Sequence, residues 1–317
     1  MKPLLEIQQL KKYFFIKKQP LKAVDDVSFE IYPQETLGLV GESGCGKTTL
    51  GRTLIRLYEP TAGNITYEGK SILTYTKKEI KHLRRKIQYI FQDPFSALNP
   101  RMTVKEIITE PLKIHCLYTS SEEHTRAVNL MTLVGLHPDR LSHFPHEFSG
   151  GQRQRIGIAR ALALNPAFIV CDEPIAALDA SIQAQIINEL KDLQKKLDLT
   201  YLFISHDLAM VKYLSDRVAV MYLGKLMELA PSATLYTKPL HPYTQALLSA
   251  IPIPDPEAET KRTKVFLPKE IPSPLHPPPG CPFSSRCPQA MPICKVKHPA
   301  WKAVSPGHFV SCHLYES

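Results

Sequence analysis

The stretch Gly41-Glu42-Ser43-Gly44-Cys45-Gly46-Lys47-Thr48 fits the pattern G-x-x-x-x-G-K-[ST], whose chemistry is phosphate binding. Its glycines let the backbone turn tightly and aim successive N–H groups at phosphate oxygens, and a helix starting where the loop ends adds the positive end of its dipole. Lys47 is expected to reach the β- and γ-phosphates and the Thr48 hydroxyl to coordinate Mg²⁺, with Thr49 counted beside it among the phosphate-binding residues. A second stretch, Phe168 to Glu173, is an apolar run closed by two carboxylates. Asp172 at a strand's mouth suits the Mg²⁺ shell, and Glu173 suits a general base that polarises an attacking water. Such a run is a weak signal by itself, because many surface turns share it. Downstream of a phosphate loop it becomes strong.

Three further positions join this set. Gln92 follows the strand-like Gln88-Tyr89-Ile90-Phe91, where a carboxamide can touch Mg²⁺ or the water. In isolation it also reads as an ordinary polar strand end. His206 follows Leu202 to Ser205, and its imidazole can hydrogen-bond a γ-phosphate and hold the water or Glu173 in place. Ser149-Gly150-Gly151-Gln152 precedes the basic helix start Arg153-Gln154-Arg155, which makes a second anion site. One chain has no need of two γ-phosphate sites for one nucleotide, so the second is expected to serve a partner chain's nucleotide.

The elements that must position these residues follow from periodicity. Residues 4 to 9 and 27 to 32 alternate apolar and polar and read as short strands. The apolar run Thr36 to Val40 ends in the phosphate loop, and a helix is predicted from about Thr48 to Leu57, closed by Pro60 and Gly63. Residues 101 to 164 recur at helical spacing, broken by Pro111, Gly135 and Pro138, and predict a mainly helical insertion. Phe168 to Cys171 and Tyr201 to Ile204 read as strands buried on both faces. Ile182 to Leu197 is a helix between them, in a right-handed crossover. Thirteen of the 28 prolines lie between Pro252 and Pro299, which predicts extended or turn structure there and no long helix.

The 317 residues are 44% hydrophobic and 22% charged, enough for a packed core in one large domain with an appendage or in two domains. No window reaches 18 apolar residues and the start has no long apolar run, so neither a membrane span nor a signal peptide is expected and the cytoplasm is the expected compartment. The net charge of +9 gathers at Lys11-Lys12, Lys17-Lys18, Lys77-Lys78, Lys81 to Lys86 and Lys261 to Lys264. Solvated faces or an anionic membrane surface account for it. No nucleic-acid motif accompanies it, so no nucleic-acid partner is expected. Of seven cysteines, Cys45, Cys116 and Cys171 read as reduced apolar fillers. Cys281, Cys287, Cys294 and Cys312 follow C-x5-C-x6-C-x17-C, and four thiolates can hold zinc or an iron–sulfur cluster, or remain free.

With these motifs in order over about residues 4 to 250, the chain resembles the nucleotide-binding subunits of ATP-binding cassette (ABC) transporters. The resemblance implies a RecA-like P-loop α/β core with an antiparallel β subdomain, a helical insertion and an irregular Pro- and Cys-rich C-terminal extension. The expected boundaries are 1–250 for the cassette, with its helical subdomain at about 101–164, and 251–317 for the extension. In that family two subunits close face to face around ATP. Gly41 to Thr48 then corresponds to Walker A, Phe168 to Glu173 to Walker B, Gln92 to the Q-loop and Phe148 to Gln152 to the signature. Ala177-Leu178-Asp179 is similar to the D-loop and His206 to the switch histidine. An aromatic near the N-terminus stacks on adenine in the family, and Phe14 fits best, with Tyr13 as its rival. Phe148 stands where Leu is usual and Ala176 where Ser is frequent, and neither change removes a phosphate ligand.

Phe91 to Arg101, His241-Pro242-Tyr243-Thr244 and Pro272 to Phe283 are similar to dipeptide and oligopeptide importer ATPases, and more to their F-type partner than to the D-type. This implies ATP-driven import of short peptides from the cytoplasmic face of the inner membrane. The implied partners are a second ATPase subunit, two transmembrane permeases and an extracytoplasmic peptide-binding protein. Nickel and glutathione importers share much of the tail, and a soluble, non-transport ABC ATPase is the alternative from another class. Similar tail cysteines in related ATPases resemble [4Fe–4S] ligands.

Overall fold

The computed structural model describes residues 2–176, 178–251 and 272–316. Two compact units divide the chain: Met1–Leu73 with Ile204–Ser317, and Thr74–Phe203. The first opens with β1 (Leu5–Ile16), β2 (Gln19–Ile31), β3 (Thr36–Val40), α1 (Lys47–Leu54), β4 (Ala62–Tyr67) and β5 (Lys70–Ser71). The second holds α2 (Lys77–Lys86), β6 (Ile87–Ile90), α3 (Pro94–Ala97), α4 (Val104–His115), α5 (Ser120–Leu133), α6 (Gly150–Leu162), β7 (Phe168–Asp172) and α7 (Ala180–Leu197), and the chain leaves it through β8 (Thr200–Ile204). The first unit resumes with α8 (Leu208–Leu214), β9 (Arg217–Tyr222), β10 (Lys225–Pro231), α9 (Ser232–Thr237), α10 (Pro242–Ser249), β11 (Lys302–Ser305) and β12 (His308–Val310).

In the first unit, β2-β1-β4-β5 form an antiparallel sheet, and other strands lie in the order β11-β12-β10-β9-β3. There β3 runs parallel to β9, with Leu37 opposite Arg217 and Val40 opposite Val220. In the second unit the order is β8-β7-β6, and β6 runs parallel to β7. Every residue of β3, β7 and β8 is buried, as their uninterrupted apolar runs require. The basic clusters at 77–78 and 81–86 lie on α2, where Leu83 is the buried residue.

Three expectations are corrected. The two N-terminal strands run 12 and 13 residues instead of stopping at 9 and starting at 27. Their pairing slips between Ile7 and Leu10, between Leu10 and Lys12, and at Tyr13, and Gln9 and Asp26 have φ of 47° and 61°. Each bulge reverses the phase of alternation, so the period-two signal fades while the ladder continues. The first helix ends at Leu54, before Arg56 turns to φ 53°. Pro111 lies inside α4 instead of breaking it. An interior proline costs about 3 kcal/mol. Burial of Val104, Ile107, Ile108 and Leu112, at roughly 1.5–3 kcal/mol each, and a Thr103/Glu106 capping box outweigh that.

The described part of the C-terminal segment has turns, two short 3-10 helices and two short strands and no α-helix, as its prolines predict. Lys261 to Lys264 fall outside the described residues. The segment is held by a fully buried carboxylate. Glu228 on β10 accepts hydrogen bonds from the Leu240 and His241 N–H groups at 2.8 and 2.9 Å and pairs with His308 Nε2 at 2.7 Å. His241 Nδ1 in turn accepts from the Tyr243 N–H at 3.0 Å. Burial keeps this imidazole neutral, with its pKa pushed down to about 4. The unfolded chain protonates His241 near its ordinary value while the folded chain refuses the proton, so stability is lost as pH falls from about 6.5 to about 4. The loss from this one group is roughly 3 kcal/mol. Urea unfolding across that range should show a shallower pH dependence for His241→Asn than for the parent. Identical slopes would rule the assignment out.

Candidate ATP-binding and hydrolysis site

The phosphate loop fills the turn between buried β3 and α1. Gly46 sits at the N-cap of α1 with φ 109°, and no side chain caps that helix end. A Cβ on Gly46 would lie 2.0 Å from the Ala23 carbonyl oxygen, so only glycine closes this turn. Lys47, 5% exposed, folds back over the loop and donates to the Gly41 and Glu42 carbonyls at 2.7 and 3.1 Å. Those acceptors fix the ammonium against the backbone of its own loop. Ser43 and Gly44 are exposed, while Thr48 and Thr49 are half-buried. Cys45 is buried, and burial pushes its thiol up, so it fills space as expected. On β1, the half-buried Phe14 ring meets Tyr58 edge-on at 5.5 Å, with the Lys12 ammonium 4.9 Å from its centroid. The rival Tyr13 spends its hydroxyl on Asp25. His206 is exposed at the residue after buried Ser205.

In the second unit the carboxylates gain partners that local sequence did not reveal. Asp172 is 1% exposed and accepts from the Tyr89 hydroxyl at 2.6 Å. Glu173 accepts from Gln92 Nε2 at 2.9 Å. Its φ of 46° is in the left-handed region, uncommon outside glycine. Ser149 caps α6 in a reciprocal box. Its Oγ accepts from the Gln152 N–H at 3.3 Å and its own N–H donates to Gln152 Oε1 at 3.1 Å. Gly150 and Gly151 form the first turn of this 13-residue helix, so an exposed hydroxyl and a helix N-terminus share one end. Asp179 caps α7, accepting from the Ile182 N–H at 3.0 Å and from the Ser181 hydroxyl at 2.7 Å. These bonds, the backbone one first, hold its carboxyl below the usual range. Ala177 lies outside the described residues.

The model of the ABC transporter family matches residues 24–176, and the oligopeptide/dipeptide transporter C-terminal region matches 227–294. The oligopeptide transport ATP-binding protein AppF of Bacillus subtilis is 54% identical, over 98% of this chain and 97% of its own length. The chain belongs to the ABC transporter ATPases. Another relative, the oligopeptide transport ATP-binding protein OppF of Haemophilus influenzae, is 52% identical over 97% of this chain and 93% of its own. Among solved structures, the dimeric post-hydrolysis state of the ATP-binding cassette MJ0796 bound to ADP and Pi matches with TM-score 0.66 and 27% identity. That match covers 72% of this chain and 98% of that one. The fold is therefore the RecA-like P-loop α/β fold of these cassettes, and the enzyme is an ATPase coupled to transport. Among the described residues no helix is long and apolar enough to cross a membrane, as suits a subunit that works beside membrane permeases.

The ATPase carries four free cysteines in its tail. The Cys281 N–H donates to the Cys294 carbonyl at 2.8 Å. Burial foremost, then the neighbouring Cys294, Cys312 and Cys287, pushes the Cys281 thiol up to about 12. Burial first, then Cys287 and Cys294, raises Cys312 to about 11. Among the described residues no three His, Cys, Asp or Glu are grouped to hold a metal ion. Cys116 corrects the expectation of a buried filler. It is exposed at the left-handed C-cap of α4, φ 51°, because the helix ends at the surface.

Proposed function

We propose that this ATPase energises the import of short peptides from the cytoplasmic face of the inner membrane. The observation that carries the reading is the match of residues 227–294 to the oligopeptide/dipeptide transporter C-terminal region, supported by relatives named for oligopeptide transport over almost their whole length. In this reading residues 1–250 are the cassette, with its helical subdomain at about 101–164, and 251–317 are the importer-specific extension. The working complex pairs the chain with a second ATPase, two permeases and an extracytoplasmic peptide-binding protein.

Phe14 is the proposed adenine platform. Gly41 to Thr49 hold the phosphates, and Thr48, Gln92 and Asp172 ligate Mg²⁺. Glu173 acts as general base, with His206 and Gln92 positioning the water and the γ-phosphate. Ser149, Gly150, Gly151 and Gln152, with Asp179, engage the nucleotide held by the partner. Hydrolysis removes the γ-phosphate that bridges the two subunits, and the pair reopens. Cys281, Cys287, Cys294 and Cys312 are the proposed ligands of a [4Fe–4S] cluster, supported by their C-x5-C-x6-C-x17-C spacing and by four thiols outside any disulfide. Such a cluster would cross-link the turns that carry the four cysteines.

The test is the five-component transporter in proteoliposomes with ATP on the ATPase side. Short peptides should accumulate with the nucleotide consumed. Accumulation of nickel or glutathione without peptides would overturn the peptide reading, and ATP turnover independent of the permeases would overturn transport altogether. Prepared without oxygen, the same complex should carry iron and acid-labile sulfide. Their absence would remove the cluster.

A further inference from the structure

Glu42 places a carboxylate in the second position of a loop built to bind a polyanion. An unpaired negative charge there opposes binding. The C-terminal segment answers it. Arg286, 6% exposed, forms a two-pronged pair with Glu42: Nη1 lies 2.7 Å from Oε2 and Nη2 lies 3.0 Å from Oε1. This planar fork is the strongest common geometry between a guanidinium and a carboxylate. The Glu42 backbone is held from the same side, its N–H donating to the Tyr243 hydroxyl at 3.0 Å.

The arginine is delivered by the turn between two of the tail cysteines. The Ser284 N–H donates to the Cys281 carbonyl at 3.0 Å, and the Arg286 N–H donates to the Phe283 carbonyl at 3.0 Å. Phe283 is completely buried and anchors the turn, its ring 5.5 Å from Tyr222 and 5.2 Å from Tyr243. Arg286 Nη1 also lies 3.4 Å from the Tyr222 hydroxyl. The hydrogen bond to Glu42 is foremost in holding the guanidinium protonated.

We propose that Arg286 is a positioning residue for ATP. It neutralises Glu42 and fixes the entrance of the phosphate loop, so the cysteine-bearing turn sets nucleotide affinity from the far end of the chain. The role differs from packing because it works through charge, and charge can be removed from either side. It rests on the reading of Gly41 to Thr48 as the ATP loop, and a failure of that reading would show as a parent protein that binds no ATP.

The experiment measures ATP affinity and the KM and kcat of hydrolysis for the full chain. Arg286→Ala should weaken ATP binding and raise KM about tenfold, with kcat kept within about twofold. Arg286→Lys, which keeps the charge and loses the fork, should fall between. The deciding variant adds Glu42→Gln to Arg286→Ala. Removing the orphaned carboxylate should restore affinity to within about threefold of the parent. Should Arg286→Ala fail to fold, Arg286→Gln still decides, because it removes the charge while keeping hydrogen-bond donors and is expected to raise KM about tenfold with kcat kept. Unchanged affinity in Arg286→Ala or Arg286→Gln, or a double variant no better than Arg286→Ala, would each overturn the proposal.

Discussion

Replacing Glu173 with Gln is expected to lower steady-state ATP hydrolysis at least about a hundredfold while leaving ATP binding within about twofold of the parent. The exchange is nearly isosteric. Gln92 Nε2, which donates to Glu173 Oε2 at 2.9 Å, can donate equally to an amide oxygen. The left-handed backbone at position 173 asks no more of Gln than of Glu. The proton acceptor alone is lost, and a positioned general base accounts for about 10²–10⁴ in rate. The phosphate loop, with Lys47 bound to its own carbonyls, contains no atom of this residue, so affinity should persist. Phosphate release gives the rate, and equilibrium titration with ATP gives the affinity. Hydrolysis within threefold of the parent would remove Glu173 from the chemistry. Equal losses of binding and turnover would make it a structural residue instead.

The contrast between Glu173 and Arg286 shows what sequence could disclose. The phosphate loop, the apolar run before Asp172 and Glu173, and the Ser149 cap are contiguous. Their chemistry depends on backbone turns that only certain residues allow, so type and spacing announce them. Buried strands announce themselves likewise, since β3, β7 and β8 need apolar residues on both faces. The pairs that tune the site leave no local trace. Tyr89 and Asp172 are separated by 83 residues, Gln92 and Glu173 by 81, and Arg286 and Glu42 by 244. Each partner reads alone as an ordinary core tyrosine, strand-end glutamine or tail arginine. Periodicity misled where the backbone departs from regularity without ending an element, as at the bulges in β1 and at Pro111 in α4. In both places tertiary burial outweighed the local signal. Cys116 was misplaced for the opposite reason, because an apolar residue type says little at a helix end that meets solvent.

A single methyl group at Gly46 should be nearly as damaging to the ATPase as loss of the base, by a different route. The position combines φ 109° with a carbonyl oxygen 2.0 Å from the place a Cβ would occupy. That oxygen belongs to Ala23 on β2, a paired strand, so it cannot yield like the tip of a flexible side chain. The loop must open instead. Gly46 is the N-cap of α1 and immediately precedes Lys47, so opening moves the helix N-terminus and the ammonium away from the phosphates together. Gly46→Ala is therefore expected to weaken ATP binding at least about a hundredfold, the equivalent of about 2.7 kcal/mol. Gly44→Ala supplies the control in the same loop. Its φ of 78° also disfavours alanine, but nothing lies within 4 Å of its Cβ. It should cost only the backbone preference of about 1–2 kcal/mol, a loss nearer tenfold. Titration of both variants with ATP separates the two effects. Equal affinities would mean that the backbone torsion, and not the Ala23 carbonyl, governs the loop. Parent-like binding by Gly46→Ala would show that the close approach to β2 is dispensable.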